Sequence, residues 1–155
     1  MSQVIHTIGY EGAPQAEVIA RLKAAGVDLL VDVRAVAASR RAGFSKTVLR
    51  ASLASEDIDY LHLRALGTPK AGRDAARKGR VAEMRDIYAD HLQEPDAQLQ
   101  FEQLKTAARS RKAALICFEA GHAGCHRAVL AERLAASKSS ISDAGIAVGD
   151  HVVLA

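Results

Sequence analysis

Apolar positions in this chain alternate between short unbroken runs and helical stripes. Val4 to Ile8 reads as a short strand, with Gly9-Tyr10-Glu11-Gly12 as the turn after it. Val18, Ile19, Leu22 and Ala25 recur at helical spacing behind Pro14, whose fixed φ suits a first helical turn. Gly26 ends that helix, and Leu29 to Val33 follows as a run of the kind buried on both faces of a parallel sheet. Ser45 is placed to cap a helix reaching about Ser55. Ile58 to Leu63 resumes as a strand with Tyr60 and His62 on one face.

Arg64 to Gly79 is the most loop-like stretch, with Gly, Lys, Arg and Asp around Pro69, and reads as a mobile lid. A helical stripe returns with Met84, Ile87, Tyr88 and Leu92, breaks near Pro95, and restarts at Asp96 through Leu99, Phe101 and Leu104. Leu115 to Phe118 is then a central strand, a last helix starts near Cys125, and Val152-Val153-Leu154 offers a closing strand. Strands separated by helices imply parallel pairing, because each crossover needs a covering element. The expected architecture is a single three-layer α/β domain over residues 1–155, Rossmann-like, with a mostly parallel sheet.

Composition narrows the classes. With 155 residues, 49% hydrophobic and 25% charged, the chain can bury a core and does not read as disordered. No apolar run approaches the roughly 20 residues that span a bilayer, so no membrane partner is expected. The first residues lack a basic segment followed by a long apolar one, and two cysteines close together make no secretory disulfide framework; a cytoplasmic protein is expected. A net charge of +3 permits an anionic partner, small molecule or nucleic acid, without choosing between them.

In open parallel sheets ligands bind at the carboxyl ends of the strands. Four polar clusters occupy such positions: Tyr10 and Glu11; Arg34 with Ser39, Arg40 and Arg41; Arg64 with Gly67 and Thr68; and Glu119 to Arg127. Tyr10, Arg34, Ser39, Arg40 and Arg127 are therefore candidate contacts to an anionic ligand, and Glu119, Cys125 and His126 candidate catalytic groups. A cysteine in the first turn of a helix has its pKa lowered by the helix dipole, so Cys125 with His126 or His122 would suit nucleophilic chemistry. Its bland counterpart is a small residue packing a helix start. Glu119 suits either a general base or an ion pair with an arginine, and Asp32, in a buried run, must be paired. Cys117, among Leu, Ile and Phe, reads as packing. Cys117, Glu119, His122, Cys125 and His126 can all ligate zinc, yet their spacing fits none of the familiar structural patterns, so no metal is expected. Phe44, in a basic loop, is a candidate stacking surface for a base. The cofactor and the oligomeric state are left open.

Taken in order, Thr7-Ile-Gly-Tyr-Glu-Gly12, Asp32-Val-Arg34 with Ser39-Arg40 and Gly43-Phe-Ser-Lys46, Tyr60-Leu-His62 with Leu66-Gly67, and Cys117-Phe-Glu119 with Cys125-His-Arg127 resemble the domain-of-unknown-function family number 488. The resemblance covers nearly the whole chain and implies a compact α/β fold with a polar pocket. Ala37 and Ala42 stand where that family usually has prolines, which predicts a looser loop here. A weaker likeness is to rhodanese-type sulfurtransferases and related phosphatases, which place Asp-Val-Arg after an early strand. Cys117 is too far from Arg127, and Cys125 too near, for their anion-cradling loop, so sulfur or phosphoryl transfer at Cys125 is kept only as an alternative.

Overall fold

The computed structural model of the chain describes residues 3–117, 126–136 and 146–148. Five strands, β1 (Gln3–Gly9), β2 (Leu29–Asp32), β3 (Asp59–His62), β4 (Ala113–Cys117) and β5 (Ile146–Val148), form one parallel sheet in the order β3-β2-β4-β1-β5. Every residue of β2 and β4 is buried, which explains why both appear in the sequence as unbroken apolar runs. The α/β expectation holds. The closing strand expected at Val152 to Leu154 lies outside the described residues.

Helices α1 (Gln15–Ala24) and α2 (Lys46–Ala54) cover one face, where Val18, Leu22, Leu49 and Leu53 pack with Leu30, Ala114 and Ile116. On the other face lie α3 (Lys70–Arg77), α4 (Val81–His91), α5 (Pro95–Ser110) and α6 (His126–Ala136). There Met84, Tyr88, Leu104 and Leu130 pack on Val31 and Leu115. Alternate residues of one strand feed opposite cores, which makes the molecule three-layered. No helix among the described residues is long and apolar enough to cross a membrane.

Two local expectations need correction. Arg64 to Gly79 is not a loop: a 3-10 turn over Arg64–Leu66 leads to Pro69 at the N-cap of α3. Asp74 pairs with Lys70 and Arg77 one helical turn to either side, and buried Gly72 and Ala75 let α3 lie close to its neighbours. Charge and glycine that resembled loop composition belong instead to a short, closely packed helix. Ser45 occupies the N-cap of α2 but caps nothing: its hydroxyl donates to the Ser39 carbonyl at 3.2 Å and accepts from the Ser39 N–H at 3.1 Å. The break expected near Pro95 is present, between the end of α4 at His91 and the start of α5, and Pro95 itself opens α5 one residue before the expected restart, where a missing N–H costs nothing.

Candidate anion-binding site

The carboxyl end of β2 holds a buried polar cluster. Asp32 and Arg34 are two residues apart, so the strand's alternation puts both side chains on the same side. Arg34 donates Nε to Asp32 Oδ1 at 2.8 Å and Nη2 to Oδ2 at 2.6 Å, a two-pronged pair in which neither side chain is more than 6% exposed. The Arg34 backbone N–H adds a third bond to Oδ1, at 3.0 Å. Its Nη1 donates to the Phe44 carbonyl at 2.7 Å and to Tyr10 Oη at 3.2 Å. Tyr60, reaching across from β3, donates its hydroxyl to Asp32 Oδ2. Burial, and then that bond to a carboxylate, raise the Tyr60 pKa well above the ordinary phenol value.

Four of the five guanidinium donors of Arg34 are thus engaged within the protein. The residue ties the rim together, joining the β1 turn through Tyr10 and the loop before α2 through Phe44. Tyr10 stacks on Phe44, ring centroids 4.3 Å apart and planes 13° from parallel. Phe44 is fully buried, so it is not the exposed stacking surface its basic neighbours suggested.

The loop leaving β2 is closely tied despite Ala37 and Ala42. The Ser39 hydroxyl accepts from the Arg41 N–H at 3.1 Å, Arg41 donates to the Ala13 carbonyl at 2.6 Å, and Gln15 donates to the Gly43 carbonyl at 2.6 Å. Gly43 has φ of +89°, and a Cβ there would lie 2.9 Å from the Gln15 side chain. Hydrogen bonds and a glycine-favoured conformation hold the loop at the positions where the family usually has prolines. Ser39 shapes it. Arg40 remains exposed, whereas Arg41 is half-buried with its guanidinium 5.9 Å from the Phe44 ring centroid.

Helix α6 reaches this rim through its first residue. His126 Nε2 lies 2.6 Å from the Val33 carbonyl; a carbonyl only accepts, so Nε2 carries the proton. The ring is also edge-on to Tyr88, centroids 5.4 Å apart. Arg127, next along α6, is fully buried. Cys117, at the end of β4, is buried and is not a free thiol. Glu119 and Cys125 lie outside the described residues. Of the residues expected at the site, Tyr10 and Arg34 are in direct contact, and His126 is bonded to the residue before Arg34. Arg40 stands apart, facing solvent.

Burial lowers the His126 pKa to about 4, with Arg127 adding to the effect and the Val33 carbonyl and Asp32 opposing it. The imidazole is therefore neutral at pH 7. Because its folded pKa lies below the unfolded one, the neutral ring's contribution is complete above about pH 6.5 and is lost as pH falls toward 4. The shift from 6.5 to about 4 corresponds to about 3 kcal/mol. His126→Gln, which can still donate to Val33, is expected to flatten the stability profile between pH 6.5 and 4. Urea titrations of both proteins across that range measure the difference; parallel profiles would show that His126 is not the group being protonated.

Sequence reasoning did not mark Tyr60 as the second partner of Asp32. The available signal was the strand alternation that puts Tyr60 and His62 on one sheet face, the face they share with Asp32 in the β2–β3 register; His62 Nε2 also bonds the Arg34 carbonyl, at 2.8 Å. Neither a curated protein nor a solved structure matches the chain. A family model described as Domain of unknown function DUF488 matches residues 15–134, from the start of α1 into α6, and the chain belongs to that family.

Proposed function

We propose that the chain binds a phosphate-bearing anion, a nucleotide or a stretch of nucleic acid, at the carboxyl rim of its sheet. The bond from His126 to the Val33 carbonyl carries the reading, because it sets the first residue of α6 against the end of β2, where Arg34 follows. Helix starts favour anions, and a second cationic element comes from the loop of Arg40 and Arg41. Arg34 is the scaffold of this arrangement, neutralised by Asp32, and Arg40 is the outward-facing contact.

One observation favours binding without imidazole-based proton transfer. His62, His91 and His126 each have Nε2 at a backbone carbonyl, 2.6 to 2.8 Å away. Such rings are held as structural donors. An enzymatic reading then places the chemistry on Glu119, with rhodanese-like transfer through Cys125 as an alternative only for the reduced chain, since Cys117 is not a free thiol and the chain has two cysteines.

The test is fluorescence anisotropy of labelled single- and double-stranded oligonucleotides, with nucleotide titrations alongside, from about 50 to 200 mM salt. Affinity is expected to fall steeply with salt, and Arg40→Ala to reduce the slope of log K against log salt by about 1. Salt-independent binding, or none to any probe, would remove the proposal.

A further inference from the structure

On the sheet face opposite the Tyr10 and Phe44 stack, the segments leaving β2 and β3 meet the start of α5 around a cleft of about 590 Å³. That volume is in the range of small-molecule sites. The segment Ala65 to Thr68, which forms one wall, is fixed by side chains from three helices. Arg73 of α3 donates to the Thr68 carbonyl at 3.1 Å, and Tyr88 of α4 to the Leu66 carbonyl at 2.5 Å. His91 Nε2 bonds the Ala65 carbonyl at 2.7 Å, and Gln100 of α5 accepts from the Ala65 N–H at 2.7 Å. Walls held in this way are ordered before any ligand arrives, which lowers the entropic cost of binding.

The lining combines two chemistries. Arg64, exposed, and Arg73, half-buried, supply two guanidinium groups, the side chain suited to phosphate and carboxylate. Val36 and Leu99, 58% and 62% exposed, line the same cleft. Only three large hydrophobics are this exposed among the described residues, the third being Val48 on α2. A single exposed leucine needs no explanation, but two of three beside a pair of arginines do. Asp96, in the first turn of α5, is the one carboxylate on the lining; it offers an acceptor and disfavours a second negative group near it.

We infer that this cleft binds a small amphipathic anion, a phosphate ester of an apolar or aromatic body. Arg64 and Arg73 hold the phosphate, and Val36 and Leu99 cover the body. The lining of the cleft includes neither Arg40 nor Arg41, and the inference does not rest on the function proposed above.

Isothermal titration of the full chain with adenosine 5′-monophosphate, phenyl phosphate, inorganic phosphate, adenosine and phenol tests the inference. At least one ester is expected to bind about tenfold or more tighter than inorganic phosphate or its own phosphate-free body. Arg64→Ala should weaken the ester about tenfold or more, the loss expected of a charge-assisted hydrogen bond. Leu99→Ser should weaken it about three- to tenfold while leaving inorganic phosphate unchanged. Val48→Ser, on α2, should change neither. The residues replaced are solvent-exposed, and thermal melts verify that each variant folds. Failure of both esters to bind, equal binding of ester and inorganic phosphate, or an affinity indifferent to Arg64→Ala overturns the inference. A preference between the two esters identifies the body, nucleoside or simple aryl.

Discussion

Asp32→Ala is expected to lower the free energy of unfolding by about 3–5 kcal/mol, the loss typical when one partner of a buried ion pair is removed. Asp32 is fully buried and Arg34 nearly so. The substitution leaves a guanidinium charge in the interior, and it also strips Tyr60 of its acceptor. Because Arg34 carries the contacts to Tyr10 and Phe44, the damage spreads to the β1 turn and the loop before α2. Replacing the pair together, Asp32→Leu with Arg34→Met, should recover part of the loss, since an apolar pair leaves no stranded charge. Recovery stays partial because two tyrosine hydroxyls and the Phe44 carbonyl lose a partner. Urea unfolding followed by far-ultraviolet circular dichroism measures all three proteins. A loss below about 1 kcal/mol for Asp32→Ala would mean that the pair behaves as a solvated surface bridge.

Gly67→Ala is expected to cost about 3 kcal/mol, the upper part of the usual range for overpacking. A Cβ at Gly67 would stand 2.2 Å from the Ala35 backbone nitrogen and 2.3 Å from its Cα. The obstacle is main chain, so no side-chain rotation relieves it, and the segments leaving β2 and β3 must separate. Both residues line the cleft below α5, so the variant should lose ester binding along with stability. Thermal unfolding gives the stability change, and hydrogen exchange at Leu66 and Gly67 gives the local one. Those amides bond to the Leu63 and Arg64 carbonyls, and faster exchange there is the expected sign of a displaced turn. Wild-type stability and exchange would show that the two segments part without cost.

The sheet was legible in the sequence where burial alone dictates composition. Leu29 to Asp32 and Ala113 to Cys117 are buried at every position, and an interior strand has few alternatives to an apolar run. Asp32 was recognisable as a paired group, because an ionised carboxylate inside such a run cannot remain alone. The identity of its partner was less so, although Arg34 lies two residues on. Residues at a strand's end read as ligand contacts whenever position, and not saturation, is considered. Phe44 misled for a different reason. Its immediate neighbours are glycine, serine and basic residues, while what buries it is Tyr10, distant in sequence. Gly72 misled in the same way: in composition it is a loop residue, and in the fold it is a space between helices, where a Cβ would lie 2.5 Å from Thr68 Cγ2. Local composition carries strand burial well and cannot carry contacts set by the topology.

The position of β4 also bears on how the chain folds. Residue 114 pairs with residue 6 on one side and residue 30 on the other, so the late strand slots between two early ones that do not pair with each other. Until β4 is in place, β1 and the β2–β3 pair share no backbone ladder and are held to each other by side-chain contacts such as Tyr10 with Arg34 and Phe44. Closure waits for a short apolar segment to find its slot across long stretches of chain, a search of the kind that makes folding slow and leaves strand edges open meanwhile.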